Sequence, residues 1–71
     1  MDGYGVNVKV GGHYVDLHAG LDRHTAKNFA GSIFHADPVQ SVCVYNDRGA
    51  VALYLKKTAD GVVREENLYL N

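Results

Sequence analysis

The chain has 71 residues, of which 46% are hydrophobic; this excludes a disordered segment and favours one small globular domain over residues 1–71. Its formal net charge is −1 and its seven Lys and Arg residues are scattered, which argues against a strong nucleic-acid binder. One cysteine, no apolar run near the roughly 18 residues of a membrane-spanning helix, and no signal-peptide charge pattern together predict a reducing, cytoplasmic setting.

The first two predicted strands form a hairpin. Residues 4–10 alternate apolar and polar side chains, which is the period of a half-buried strand. The glycine pair at 11–12 predicts a two-residue turn, and residues 13–18 form the returning strand. The expected pairs on the inner face are Val10–His13, Val8–Val15 and Val6–Leu17. The side chains expected on the outer face are Asn7, Lys9, Tyr14, Asp16 and His18.

Residues 21–34 are the one segment with helical periodicity. Apolar side chains recur there at i, i+3, i+4 and i+7, which makes a stripe along one face of an α-helix. Asp22 predicts an N-cap, and Pro38 follows the segment and ends it. The stripe consists of Ala26, Phe29, Ala30 and Ile33. We expect this stripe to lie on a sheet, with Phe29 and Ile33 buried.

Three further strands form a predicted meander. Residues 39–45 and 50–57 are apolar-rich runs joined by a turn at 46–49, and Asp-Gly at 60–61 predicts a hairpin that returns along 62–70. The expected pairs are Tyr45–Ala50, Val44–Val51, Val42–Leu53, Ala59–Val62, Leu53–Leu68 and Val51–Leu70. The expected inner face is Val42, Val44, Val51, Leu53, Leu55, Leu68 and Leu70.

The order ββ-α-βββ predicts an α+β fold. We expect a two-layer sandwich, in which an antiparallel sheet of about five strands carries one helix on one face. The pattern leaves the order of the strands within the sheet open. The last strand, at the edge of the meander, could pair with another chain.

Four histidines and one cysteine raise the question of a metal site, and their spacing argues against one. His13 and His18 point to opposite faces of one strand, while His24 and His35 lie at opposite ends of the helix. Cys43 has no partner at a ligand spacing. Since no nucleophile elbow or phosphate-binding loop is present either, we expect no catalytic residues, no metal and no cofactor.

Three tyrosines gather on the outer face of the meander in the predicted register. Tyr45, Tyr54 and Tyr69 come from three different strands and lie over small side chains. Tyrosine is favoured at interfaces because it combines a large contact area with a polar tip. We expect these tyrosines to bind a partner, with Tyr54 at the centre; the alternative is that they stabilise the sheet through cross-strand pairs.

The exterior of the helix is a second candidate surface for binding. It is lined by polar and small side chains, and a glycine within a helix costs roughly 1 kcal/mol relative to alanine. A flat position of this kind could admit the backbone of a partner. The residues of this surface are His24, Lys27, Asn28 and Gly31.

The stretch TAKNFAGSIF at 25–34, followed by VQSVCVYNDRGAVALYL at 39–55, resembles a pattern found in small phage and mobile-element proteins. In these proteins a short helix of the form A-K-x-x-A is followed by a valine-rich hairpin. Some anti-CRISPR proteins and other phage inhibitors of host machinery are similar in size and layout. The resemblance implies a domain that binds and blocks a larger host protein or complex in the host cytoplasm.

Taken together, these features predict a small non-enzymatic protein-interaction module, of the phage-inhibitor or modulator type. One alternative is a single-stranded nucleic-acid-binding domain that stacks bases on the sheet tyrosines. Another is a small homo-oligomeric subunit that builds a ligand site between chains. We expect no membrane partner.

Overall fold

A computed structural model describes residues 3–68 of the chain. Its elements are β1 (Tyr4–Val10), β2 (His13–Leu21), α1 (Arg23–Phe34), β3 (Val39–Tyr45), β4 (Val51–Thr58) and β5 (Gly61–Glu66). The five strands form one antiparallel sheet of order β2-β1-β3-β4-β5, and α1 packs on its central strands β1 and β3. The predicted α+β fold, with the element order ββ-α-βββ, is confirmed.

The glycine pair at 11–12 forms the predicted turn of the first hairpin. Both glycines have positive φ, 57° and 81°, a backbone region that other L-residues adopt only with strain. Next to the turn the register is as predicted, with Val10 opposite His13 and Val8 opposite Val15.

Further along β2, the predicted pair Val6–Leu17 is wrong. The register shifts beside Val6, so that His18 instead of Leu17 lies opposite it. An extra residue in one strand moves the following side chains to the other face of the sheet. His18, which we expected on the outer face, therefore faces the helix, where its ring meets the Phe29 ring edge-on with 4.7 Å between centroids.

The helix begins at the predicted cap. The side chain of Asp22 accepts hydrogen bonds from the backbone N–H of Thr25 (2.8 Å) and from its hydroxyl (2.9 Å). The backbone N–H of Thr25, and next its hydroxyl, hold the pKa of the Asp22 carboxyl below its usual value. The helix starts at Arg23 and not at residue 21, because β2 continues to Leu21.

The face of α1 that packs on the sheet is rotated from the predicted stripe. Ala26, Ala30 and Phe34 are buried, whereas Phe29 and Ile33, which we expected to be buried, are half-buried at the margin of the core. The two alanines line the contact with the sheet, and small side chains there let the helix backbone approach closely. The larger side chains therefore lie beside this line of contact.

In both hairpins of the meander, the cross-strand partner of a residue lies two positions from the predicted partner. Val44 lies opposite Leu53 and not Val51, and Thr58 lies opposite Gly61. A shift by an even number keeps each side chain on its face, so most of the expected inner face is retained. Val51 is one exception, because a second shift beside it leaves it 46% exposed.

The side chain of Asn46 sets the closure of the β3–β4 loop. Its Oδ1 accepts from the backbone N–H groups of Arg48 (3.0 Å) and Ala50 (2.9 Å), while its own backbone N–H donates to the Ala50 carbonyl (2.9 Å). These bonds hold Ala50 within the loop. Tyr45 consequently lies opposite Val51 and not opposite Ala50 as predicted.

The end of β5 differs from the prediction as well. Leu68, expected on the inner face, lies beyond the last residue of the strand and is 73% exposed, and Leu70 lies outside the described residues. The inner position opposite Leu53 is occupied by Glu66, which pairs with Lys27 of the helix. An ion pair thus takes the place of the predicted leucine contact.

Candidate functional site: the outer face of the sheet

The outer face is the side of the sheet away from α1, and no described element covers it. Cross-strand pairs arrange its side chains in three rows. The middle row, with one residue from each strand, is Asp16, Asn7, Cys43, Tyr54 and Glu65. The row nearer the β1–β2 turn is Tyr14, Lys9, Ser41, Lys56 and Val63. The third row is Gly5, Tyr45 and Val51.

Tyr54 lies in the middle row on β4. Its neighbours are Cys43 and Glu65, and not Ser41 and Asn67 as the predicted register had it, because the register of each hairpin differs from the predicted one by two residues. The even shift leaves Tyr54 on the outer face, half-buried among these neighbours. In the order β2-β1-β3-β4-β5, however, Tyr54 lies on the fourth strand, next to the edge strand β5, and Cys43 of β3 occupies the centre of the row where we expected Tyr54.

Tyr45 also lies on the outer face, and it leans across β1 toward β2. Its hydroxyl donates to Oδ1 of Asp16 over 3.1 Å, and the same oxygen accepts from the Asn7 amide at 2.8 Å. The ring covers Gly5, where a Cβ would lie 2.5 Å from ring atom Cζ. Burial, and next the hydrogen bond to Asp16, raise the pKa of the Tyr45 phenol. Tyr45 of β3 and Tyr54 of β4 thus share the outer face, but the Tyr45 side chain extends toward β2, away from Tyr54.

The third predicted tyrosine, Tyr69, lies outside the described residues. A different one, Tyr14 on β2, is 70% exposed on the outer face, and the ammonium of Lys9 lies 5.6 Å from its ring centroid. Strand alternation alone places Tyr14 outward, but we did not expect it to bind, because the predicted cluster was confined to the meander.

Cys43 and Ser41 lie on the outer face without reactive surroundings. Burial raises the pKa of the Cys43 thiol, which disfavours the nucleophilic thiolate. Ser41 is only 6% exposed and lies between the flanking lysines Lys9 and Lys56. Across residues 3–68, no group of three or more His, Cys, Asp or Glu side chains could hold a metal ion.

The helix exterior, the second candidate surface, is partly occupied by contacts within the chain. The Asn28 amide lies 3.1 Å from Nε2 of His24. Lys27 turns toward the sheet and pairs with Glu66, which lowers the pKa of that carboxyl. Gly31 is half-buried, and nothing lies within 4 Å of the position that a Cβ would take. Of the four predicted residues, His24, Asn28 and Gly31 remain available on this side.

A shallow cleft of about 300 Å³ lies at the edge of the outer face, where β1 begins and the β3–β4 loop turns. Its wall is formed largely by glycine backbone, and the side chains of Tyr45 and Asn46 that line it already make hydrogen bonds within the chain. Asp47 at the rim is exposed. The cleft offers no converging set of polar groups of the kind that orients a small-molecule ligand.

Comparison with known proteins does not assign either surface. No protein-family model matches the chain, and no curated protein or solved structure matches it significantly. Within the part of the chain that the structure describes, no helix is both long and apolar enough to cross a membrane. The function is therefore argued from the geometry and charge of the two surfaces.

Proposed function

We propose that this chain is a non-enzymatic protein-interaction domain that binds a larger protein through the outer face of its sheet. The observation that carries the proposal is the uncovered outer face with Tyr54 in its middle row. An antiparallel sheet that buries one face under a helix leaves the other face available. A half-buried aromatic side chain flanked by polar ones is the kind of residue in which interfaces concentrate their binding energy.

The charges of the outer face fit a protein partner. Lys9 and Lys56 lie in one row, and Asp16 and Glu65 lie at the two ends of the middle row, so that the face carries both signs and no net charge. A polyanion would be held by an excess of positive charge, which this face lacks. A protein surface with charges of both signs can complement it.

The phage-type character of the domain is part of the same proposal. Its support is the resemblance of residues 25–34 and 39–55 to small phage and mobile-element inhibitors. A domain of this kind acts by occupying a surface that a host complex needs, and it requires no chemistry of its own. We therefore place its partner among the protein complexes of the host cytoplasm.

Truncation of Tyr54 tests the proposal. The wild-type domain is used as bait in a bacterial lysate, and the retained protein is identified and purified. Tyr54→Ala is expected to weaken that complex by about 2 kcal/mol, which is roughly a 30-fold rise in Kd by titration calorimetry. The fold should persist, because Tyr54 lies outside the core between helix and sheet.

His24→Ala on the helix exterior is the matched control. His24 is exposed and away from the ion pair that engages Lys27, so its truncation changes that surface without loosening β5. We expect His24→Ala to bind as the wild type does. If His24→Ala abolishes binding while Tyr54→Ala is silent, the helix exterior is the binding surface and the proposal is wrong.

A second candidate function is single-stranded nucleic-acid binding, and one row of the outer face favours it. Tyr14 and Lys9 are in contact there, and Lys56 lies two strands away in the same row. Exposed aromatic rings flanked by cations can stack bases and hold phosphates. This candidate requires oligonucleotide binding that weakens steeply with salt, which fluorescence anisotropy at two salt concentrations measures.

A further inference from the structure

The two edges of the sheet differ in regularity. Strand β2, at one edge, has two register shifts against β1, and its residue Gly20 has a φ of 77°. Bulges of this kind twist an edge and protect it from pairing with another chain. Strand β5, at the other edge, pairs with β4 from Gly61 to Glu66 without a shift. In the described part of the chain, β5 is therefore the regular edge, without a bulge, and its charged residues Arg64, Glu65 and Glu66 all lie in its second half.

The hydrogen-bonding phase of β5 shows which of its backbone groups point outward. The N–H of Asn67 donates to the Ala52 carbonyl at 2.9 Å, which identifies that pair as hydrogen-bonded. In an antiparallel ladder such pairs alternate along the strand. The backbone groups of Val62, Arg64 and Glu66 consequently point away from β4.

The same edge exposes apolar side chains on both faces of the sheet. Val62, on the inner side, is 60% exposed, and Val63, on the outer side, is 38% exposed. Natural edge strands usually carry lysine, proline or bulges at such positions. An open hydrogen-bonding edge with valines on both faces is the arrangement that adds a strand.

We propose that β5 pairs in antiparallel fashion with β5 of a second copy of this chain. The two copies are related by a two-fold axis that lies between the strands at the level of Val63, called below the axis through Val63. A two-fold axis perpendicular to the sheet lies midway between the two strands and keeps outer side chains on the outer face. The axis must therefore be level with one residue, which then lies opposite its own copy, and not level with the bond between two residues. With the axis at Val63, that residue lies opposite Val63 of the second copy. Val62 then lies opposite Arg64 of the second copy.

The charges of β5 select this register. An axis through Arg64 or through Glu65 would place two like charges directly opposite each other, which destabilises a strand pair. An axis through Val62 would shorten the overlap and bring the two β4–β5 turns together. Within residues 61–66 the axis through Val63 avoids both, and it brings Glu66 to the level of Asp60 in the turn of the second copy. It pairs the outward backbone groups of Val62 and Arg64 through roughly four hydrogen bonds.

The contact is small, because it comprises one strand from each copy. Interfaces below about 1,200 Å² are typical of weak, transient association. We therefore expect a dimer that forms at high micromolar concentration and dissociates on dilution. This inference rests on the sheet edge alone and is independent of the partner proposed for the outer face.

Opposite charges at Val63 test the dimer and its register together. The mass of the wild-type chain in sedimentation equilibrium is expected to rise toward twice the monomer mass as the concentration approaches about 1 mM. Val63→Lys and Val63→Glu should each remain monomeric, since each places like charges opposite each other. An equimolar mixture of the two variants should regain the dimer mass, because lysine then faces glutamate.

Val15→Lys is the matched control, because Val15 is a similarly exposed valine (44%) on the opposite edge strand, β2. It should dimerise as the wild type does, and circular dichroism should show that every variant is folded. A wild-type chain that stays monomeric overturns the proposal, as do folded Val63 variants that dimerise singly. A mixture that remains monomeric overturns the Val63-centred register.

Discussion

At the scale of single residues, Gly5 and Tyr45 depend on each other. The absence of a side chain at Gly5 lets the Tyr45 ring lie flat across β1 and bring its hydroxyl to Asp16. An aromatic ring over a strand glycine also restores the packing that the glycine lacks. Although a glycine within a strand is usually destabilising, Gly5 thus allows the Tyr45 hydroxyl to reach its position on the outer face.

Gly5→Ala should displace the Tyr45 ring without unfolding the domain. The new methyl group would meet only the far end of a side chain that can rotate away. The hydrogen bond to Asp16 would be lost, at a cost of about 1 kcal/mol. Because burial and Asp16 raise the pKa of Tyr45 above 10.0, we expect that pKa to fall in the variant. Titration of the Tyr45 ring signals by NMR measures the change.

Asn7→Ala is the control for this titration. It removes the other hydrogen bond to Asp16 and leaves the ring over Gly5, so the pKa of Tyr45 should stay raised. The raised pKa also fixes the sign of the pH effect: its contribution to stability is complete below pH 10.0 and is lost as pH rises through the folded-state value. An unchanged pKa in Gly5→Ala would contradict the proposed role of the glycine.

At the scale of elements, the helix is held by Phe34 more than by Phe29. Phe34 is 6% exposed at the end of the buried line of α1, and the ammonium of Lys57 lies 5.2 Å from its ring centroid. The same ammonium donates to the Ala36 carbonyl at 2.8 Å. These contacts attach the C-terminal end of the helix to β4.

Phe34→Ala is therefore expected to destabilise the domain more than Phe29→Ala. Loss of a buried phenylalanine costs about 3–5 kcal/mol, and the half-buried Phe29 should cost less. Urea unfolding followed by circular dichroism measures both free energies of unfolding. An equal loss in the free energy of unfolding in the two variants would contradict the observed orientation and favour the one predicted from the sequence.

The hydrophobic pattern predicted the elements and their faces well and the registers less well. Alternation of apolar residues fixes which face a side chain takes, and it is unchanged when a strand slides by two residues. The closing positions depend on local hydrogen bonds such as those of Asn46, which apolar periodicity does not report. The bulge that turns His18 inward interrupts the alternation, and so it was missed.

At the scale of the whole molecule, one ion-pair cluster joins α1 to the edge strand β5. Glu66 accepts from Lys27 of the helix and from Arg64 of its own strand. The hydrogen bond from Lys27, and next that from Arg64, lower the pKa of Glu66 from 4.5. We predicted Leu68 opposite Leu53, but the register of β5 differs by two residues, so that Glu66 and its ion pairs occupy that position.

The cluster should make the stability of the domain depend on acidity. A carboxyl whose folded-state pKa is lowered contributes stability above its unfolded value of 4.5, and loses it as pH falls through the folded value. Glu66→Gln should therefore be less stable than the wild type at pH 7, and the difference should shrink at pH 3. Urea unfolding at the two pH values measures this difference.

Glu65→Gln is the control for the acid series, since Glu65 makes no ion pair within residues 3–68. It should show no comparable narrowing of the stability difference between the two pH values. A difference for Glu66→Gln that is the same at pH 7 and pH 3 would mean that the cluster contributes nothing through its charge.

The strand order has a consequence for how the chain folds. Val6 opposite Val44 and Val8 opposite Val42 form the seam between a hairpin and a meander, each of which closes through short turns. That seam joins segments far apart in the chain, so it forms only after the loop containing β2 and α1 has closed. The helix packs on both β1 and β3, so its contact with the sheet is complete only when this seam has formed. We expect this pairing of distant segments to be the slow step of folding, and until it is complete part of the hydrophobic core stays exposed to solvent and open to aggregation.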